Sequence, residues 1–324
     1  MIGFELETGG ETVHVESELG WVDRLVREAG AGVESGRRSA PTLYVHAERD
    51  RRAFPKSGLT VLARGAWSGA REVVVEDVCG TGFDLRLKID GGLPLLTFRW
   101  RPRPSRVLEG QLLPSRFQLL ARCALIQYPV MWWAAARGRA PLHAISCTAG
   151  DAVPLLAGPG GVGKSTLLQA ELLDEASATT DNLCVGDGHV TWGVVEPMRI
   201  EGGAGRRMPH GRREVALEGR VAQLIPDRVV VVSRGTGDAA RLSPCDPETA
   251  IRSLVTGTYM AGELRRLWPF AAILAAGTGC GPSHPPIAET ARRFATRLPC
   301  YQLELARQPG TRLLQMLKPM EASA

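Results

Sequence analysis

Lysine is nearly missing from this 324-residue chain: Lys56, Lys88, Lys164 and Lys318 are four among 39 basic residues, and the others are arginine. Other features are missing too. The seven cysteines (Cys79, Cys123, Cys147, Cys184, Cys245, Cys280, Cys300) form no C-x-x-C pair, which excludes a zinc ribbon or a thioredoxin-type motif. Odd in number and scattered, they read as reduced thiols that pack as small apolar residues. The first residues, Met1-Ile2-Gly3-Phe4-Glu5, carry no basic and apolar leader pattern, so a cytoplasmic protein is expected. The most apolar run, Phe117 to Ala136, is interrupted by Arg122, Gln127 and Pro129 and does not read as a membrane span. No basic motif interleaved with aromatics occurs, so nucleic acid ranks last as a partner.

What is present is ordinary for a globular protein: 44% hydrophobic residues, 23% charged residues, a formal charge of +5 and a pI near 9.0. That charge suits an anionic ligand without demanding one. A homo-oligomer is compatible with the chain but has no sequence signal.

Against this background one lysine stands out. Lys164 closes Gly158-Pro159-Gly160-Gly161-Val162-Gly163-Lys164-Ser165, a full match to the phosphate-binding P-loop pattern. Ala152 to Ala157 reads as a short buried strand leading into the glycines. Lys164 to Asp174 reads as a helix with Leu167, Leu168, Leu172 and Leu173 on one side. Glycines let the backbone wrap an anion with its N–H groups turned inward, and the helix N-terminus adds partial positive charge. Gly158, Gly160, Gly161, Val162, Gly163, Lys164, Ser165 and Thr166 are therefore expected to hold ATP. Lys164 is expected to contact the β- and γ-phosphates and the Ser165 hydroxyl to ligate Mg²⁺. A compact ammonium does this where a planar guanidinium does not.

A P-loop does not choose the reaction. A carboxylate must handle Mg²⁺ or take a proton from an acceptor. Asp181, in Ala178-Thr179-Thr180-Asp181-Asn182, follows the P-loop helix where the next strand should return to the phosphates, and it is the best candidate. Asp187-Gly188 is explained as a hairpin turn between Ala178–Gly186 and His189–Val195. Spacing alone gives His143 a structural role. Arg199 to Arg213 holds five arginines among four glycines and reads as a loop suited to an anion, with Arg206 and Arg207 assigned to the nucleotide. Glu196 and Glu201 flank it as candidates for a second metal contact.

Elsewhere, residues 1–107 read as a β-rich N-terminal domain, with strands over Thr42–His46, Leu59–Ala63, Glu72–Glu76 and Phe83–Leu87 and a helix over Trp21–Ala29. Arg101 to Arg106 reads as a linker. Residues 108–138 form a connecting helical segment, broken before Pro129, whose Trp132-Trp133 pair belongs to the core. Residues 139–324 carry the P-loop, a buried strand over Arg228–Ser233, helices over Pro247–Val255, Gly262–Ala275 and Ile287–Thr296, a strand over Tyr301–Leu305 and a helix over Thr311–Leu317.

Pro141-Leu142-His143-Ala144, a hairpin, Gly158–Ser165 and then Thr180-Asp181-Asn182 together resemble the HPr serine kinase/phosphorylase group, of the phosphoenolpyruvate-carboxykinase-like P-loop class. The resemblance covers roughly residues 140–235. It implies a mixed α/β (α+β) fold with a P-loop kinase core. It places His143 near the transferred phosphate and makes Asp181 the base toward the acceptor and a metal-site residue with Ser165. Where the group has two adjacent aspartates, this chain has Asp181-Asn182, and the group's Glu-Ile-Arg-Gly signature has only Glu196–Gly202 as its nearest stretch. The expected activity is therefore transfer of the γ-phosphoryl group of ATP to a hydroxyl of a protein, a peptide or a small molecule. A carboxykinase is disfavoured, because Lys164 is the only lysine between Lys88 and Lys318. A nucleotide-binding regulator without phosphotransfer is the alternative, and Asn182 keeps it open.

Overall fold

The computed structural model describes residues 3–30, 40–202, 204–208, 211–308 and 310–317. Among these the chain is mixed α/β, and its strands form four sheets. The N-terminal half builds the largest. Its strands are β1 (Phe4–Thr8), β2 (Glu11–Ser17), β3 (Leu43–Glu48), β4 (Thr60–Ala63), β5 (Ala66–Gly69), β6 (Glu72–Val75), β7 (Phe83–Asp90) and β8 (Leu93–Trp100), in the order β1-β2-β3-β8-β7-β6-β5-β4. The expected strands and the helix α1 (Gly20–Ala29) are present; α1 forms the crossover between the parallel neighbours β2 and β3. Alternation explains the register: in β3, Leu43, Val45 and Ala47 face the core while Tyr44, His46 and Glu48 are half-buried.

The supposed linker at 101–106 is already helical from Pro104, where α2 (Pro104–Leu112) begins. Proline suits a first helical position, since its missing N–H would have no helical partner there. α3 (Pro114–Arg122) and α4 (Tyr128–Ala136) follow, joined by a π-helical turn over Cys123–Gln127. The break expected before Pro129 is thus a widened turn one step upstream. α4 is apolar all round because it is buried all round. Trp132 is fully enclosed and Trp133 nearly so, both in a core shared with β2, β3, β7 and β8, with residues of α7 (Leu267–Thr278) and with Val185 and Val194.

β9 (Ala140–Leu142) joins a four-stranded antiparallel sheet with β12 (Cys184–Gly186), β13 (Thr191–Gly193) and β17 (Gln223–Leu224). After His143 and Ala144 the chain changes sheet. β10 (Ile145–Ser146) pairs antiparallel with β11 (Pro154–Ala157), the strand before the P-loop. β11 is parallel to β18 (Arg228–Arg234), which is parallel to β20 (Cys300–Leu305); β19 (Arg241–Pro244) closes the five-stranded sheet. Its central strands are apolar on both faces, as sheets covered twice must be. Leu155, Ala157, Val229 and Val231 meet α6 (Pro247–Met260) and α8 (Ile287–Arg297), while Leu156, Val230 and Val232 meet α5 (Lys164–Leu172) and α9 (Leu313–Leu317).

Three expectations change. Leu167 and Leu168 are buried, but Leu173 lies beyond the end of α5 and is 80% exposed. The turn at Asp187-Gly188 is longer than two residues, and the Asp187 carboxylate holds it by accepting the N–H groups of His189 (2.7 Å) and Val190 (2.8 Å). The Gly/Arg-rich stretch is not a loop. It folds into an antiparallel sheet of β14 (Met198–Glu201), β15 (Arg206–Arg207) and β16 (Arg212–Val215), with β16 central. Gly203, Pro209 and His210 of that stretch lie outside the described residues. No helix among the described residues is long and apolar enough to cross a membrane.

Candidate functional site

The loop from Gly158 to Gly163 connects β11 to α5 at the C-terminal edge of the five-stranded sheet, the edge where open α/β sheets bind ligands. Gly158 has φ +146°, and a Cβ there would lie 2.7 Å from the Val232 carbonyl oxygen, so the loop crosses β18 only as glycine. On the opposite side Gly257 of α6 seats against the loop; a Cβ on it would come within 3.1 Å of the Gly158 carbonyl oxygen. The helix thereby supports the loop backbone directly. Arg234, at the end of β18, donates to the Gly161 carbonyl (2.8 Å).

Lys164 is 5% exposed and curls over the loop, donating to the carbonyls of Gly158 (2.7 Å) and Pro159 (3.2 Å). Burial pulls its ammonium down to about 8, with the Asp181 carboxylate opposing. A cation so weakly compensated favours an incoming anion.

His143 stands where the chain passes from β9 to β10. Its backbone N–H donates to the Thr258 hydroxyl (3.0 Å) on α6, and its Cε1 lies 4.0 Å from where a Gly160 Cβ would be. Burial, followed by the Lys164 charge, lowers the imidazole to about 4; Glu263 opposes. His143 is therefore neutral near pH 7, and its Nδ1 has no partner among the described residues.

Asp181 is 4% exposed. One carboxylate oxygen accepts the Arg199 backbone N–H (3.0 Å), while the other, Oδ1, is buried with no partner among the described residues. Burial raises this carboxyl above its ordinary value, against the Arg199 N–H, the Ser165 hydroxyl and the charges of Arg199 and Arg212.

These groups share a cavity of about 330 Å³. His143, Gly160, Gly161, Gly163, Lys164, Ser165, Thr166 and Asp181 all line it, together with Asn182, Glu201 and Arg212. Gly158 and Val162 support the loop from behind; Val162 is buried in the core under α5. Arg206 and Arg207 are not part of this wall. Arg206 lines a second cavity beside α1 and α3, where its guanidinium pairs with Glu214, and the Arg207 carbonyl accepts the Ser115 hydroxyl (2.6 Å). Position along β16 separates the arginines: Arg212 pairs with Glu201 and both line the P-loop cavity, whereas Glu214, two residues further on, pairs with Arg206 and both line the second cavity. Glu196 does not line the P-loop cavity and is committed to protein partners, whereas Glu201 does line it.

Two charged lining residues, Arg234 and Glu263, carry no sequence signal, and Arg199, one of the five arginines of the expected loop, joins them there. Arg199 bridges Glu196, three residues away, and Glu263, on a 3₁₀ turn (Gly262–Arg266) far along the chain. Its Glu-x-x-Arg spacing from Glu196 was a local signal; its pairing with Glu263 had none.

Among the described residues no cluster of three or more His, Cys, Asp or Glu could hold a metal by itself. Ser165 and Asp181 present a hydroxyl and a carboxylate with one uncommitted oxygen, a hard donor set that fits Mg²⁺ completed by phosphate oxygens and water. A scan against models of known protein families gives no match to the chain, and neither does a search of curated proteins.

Proposed function

We propose that this protein is an ATP- and Mg²⁺-dependent phosphotransferase with a P-loop kinase core, acting on a hydroxyl of a protein, a peptide or a small molecule. The observation that carries the proposal is the convergence in one cavity of the loop glycines, Lys164, Ser165, His143 and Asp181, which come from three separate stretches of chain. The resemblance to the HPr-kinase group implies the same set.

In the reaction, the loop amides and Lys164 hold the negative charge of the phosphates. Bound Mg²⁺, held by Ser165 with phosphate oxygens and water, would supply further neutralisation of phosphate charge and leave the uncommitted oxygen of Asp181 to the acceptor. The acceptor oxygen bonds to the γ-phosphorus as the bond from that phosphorus to the β,γ-bridging oxygen breaks. Asp181 takes the hydroxyl proton, and ADP departs. The raised carboxyl of Asp181 suits a proton acceptor, because its burial leaves it more basic than an exposed aspartate. Neutral His143 adds no charge beside Lys164 and lines the cavity that would receive the transferred group.

Lys164→Ala is expected to weaken ATP binding by at least about tenfold in calorimetry, the loss of one charge-assisted contact. Asp181→Ala is expected to keep nucleotide binding and lose transfer of labelled phosphate. Full transfer by Asp181→Ala would overturn the assignment of the base. ATP binding without transfer to any acceptor in cell extract would identify a nucleotide-dependent regulator instead.

A further inference from the structure

Behind the cavity wall lies a buried carboxylate that the proposed chemistry does not use. Glu196 is 1% exposed and follows β13 at the entry to β14. Its Oε1 accepts the Leu183 backbone N–H (3.1 Å), and its Oε2 accepts an Arg199 guanidinium N–H (3.2 Å). The Thr180 hydroxyl and the Asn182 amide each lie 3.5 Å from its oxygens. Glu196 therefore meets the turn at 180–183 on both sides of Asp181 without touching Asp181.

Arg199 closes the arrangement from the other direction. Its backbone N–H donates to Asp181 Oδ2 (3.0 Å), one guanidinium arm goes to Glu196, and the other goes to Glu263, whose side chain lines the cavity with His143. The Glu196 backbone carbonyl in turn accepts Arg220, which also donates to the Ala29 carbonyl at the end of α1 (2.7 Å). A turn without strand pairing, carrying a carboxylate that must stay in place with one free oxygen, is thus held by the Glu196 carboxylate at Leu183, with Thr180 and Asn182 beside it, and by the Arg199 backbone N–H at Asp181, while the Arg199 guanidinium holds Glu196 itself.

We propose that Glu196 and Arg199 are positioning residues: they fix the 180–183 turn so that Asp181 presents its uncommitted oxygen to the acceptor. This rests on the phosphotransferase reading above. Neither residue is assigned a proton transfer. Both act through where they hold Asp181, so their loss should lower turnover and leave capture of the nucleotide by the P-loop intact.

The test compares the full-length protein with Glu196→Ala, Glu196→Gln and Arg199→Met. The readouts are the Kd for the non-hydrolysable ATP analogue with Mg²⁺, turnover of γ-labelled ATP with cell extract as acceptor, and thermal melting. Glu196→Ala is expected to lose about a hundredfold in turnover, the scale of a small displacement of a reacting group. Its Kd for the analogue should stay within about threefold of the unaltered protein, because the interaction removed serves the reaction and not ground-state binding. Glu196→Gln keeps an oxygen for the Leu183 N–H and should recover about tenfold of that loss. Arg199→Met should behave like Glu196→Ala. Turnover in Glu196→Ala equal to the unaltered protein, or a turnover loss matched by an equal loss of analogue binding, overturns the positioning role while leaving the phosphotransferase reading in place. If Glu196→Ala does not fold, Glu196→Gln decides: an unchanged rate together with an unchanged Kd in both Glu196→Gln and Arg199→Met rejects the proposal. Failure of the unaltered protein to bind the analogue or to turn over ATP overturns the phosphotransferase reading, and the inference falls with it.

Discussion

Two buried carboxylates, one in each half of the molecule, show how differently the chain treats the same chemical group. Glu11 opens β2 in the N-terminal sheet and is 2% exposed. One of its oxygens accepts Arg139 (3.2 Å), and the other accepts the Thr42 hydroxyl (2.6 Å) with Arg137 at 3.3 Å. Asp181 is as deeply placed, yet one of its oxygens has no partner among the described residues. Burial raises both carboxyls. Glu11 is surrounded as a group whose work is to join β1 and β2 to the segment before β9. Asp181 accepts the Arg199 backbone N–H and has the Ser165 hydroxyl near it, and its Oδ1 is left without a hydrogen bond among the described residues. Burial alone does not mark a functional acid; incomplete satisfaction beside a P-loop is what makes Asp181 the candidate.

The sharpest way to break this contrast is Asp181→Asn. Turnover is expected to fall about a thousandfold, in the range of a lost general base. Stability should not fall, and should rise by up to about 1 kcal/mol, because a buried and poorly compensated charge is removed. A destabilised Asp181→Asn would place Asp181 with Glu11 as a structural acid. Glu11→Ala should do the opposite. It removes the shared partner of Arg137 and Arg139, whose side chains stay 40% and 20% exposed, and is expected to cost about 1–2 kcal/mol in denaturant unfolding, with turnover per folded molecule unchanged.

A smaller effect separates Glu196 from both. Burial, reinforced by Glu263 and Asp181 and opposed by Arg199 and Arg122, holds its carboxyl up at about 7 against an ordinary 4.5. Between those values the folded chain binds more protons at this site than the unfolded chain does, so this group's contribution to stability declines as pH rises from about 4.5 to about 7. Denaturant midpoints measured across that window should decline less steeply in Glu196→Gln. The smallest effect belongs to Leu173→Gln, which should move stability by no more than about 0.5 kcal/mol, since the side chain is largely in water. Leu168→Ala, at a fully buried position in the same segment, should cost about 3 kcal/mol.

The same contrast explains what could be read from the sequence. The P-loop, its strand and its helix are contiguous, and glycine spacing with apolar periodicity fixes them locally. β2 does not stand out although Glu11–Ser17 alternates Val13 and Val15 with polar neighbours, because its two glutamates lower its strand propensity. The arginine stretch reads as a loop because two-to-four-residue strands rich in Arg and separated by Gly carry no strand signature; cross-strand pairing around β16 makes them a sheet. That pairing then decides which arginines reach the P-loop cavity. Arg212 does and Arg206 does not, a distinction of register that composition cannot make. Leu173 failed for a simpler reason: the helix ends at Leu172, so helical periodicity no longer places the next residue.

The change of sheet between β9 and β10 has a mechanical consequence. Residues 143 and 144 join a strand of the four-stranded sheet, which also carries the 180–183 turn through β12, to a strand paired with the P-loop strand. Sliding of one sheet past the other would strain this two-residue splice together with the short link from β17 to β18. The imidazole of His143 sits on that splice, so its NMR signals are expected to gauge how closely the Asp181-bearing and P-loop-bearing halves of the cavity are brought into register.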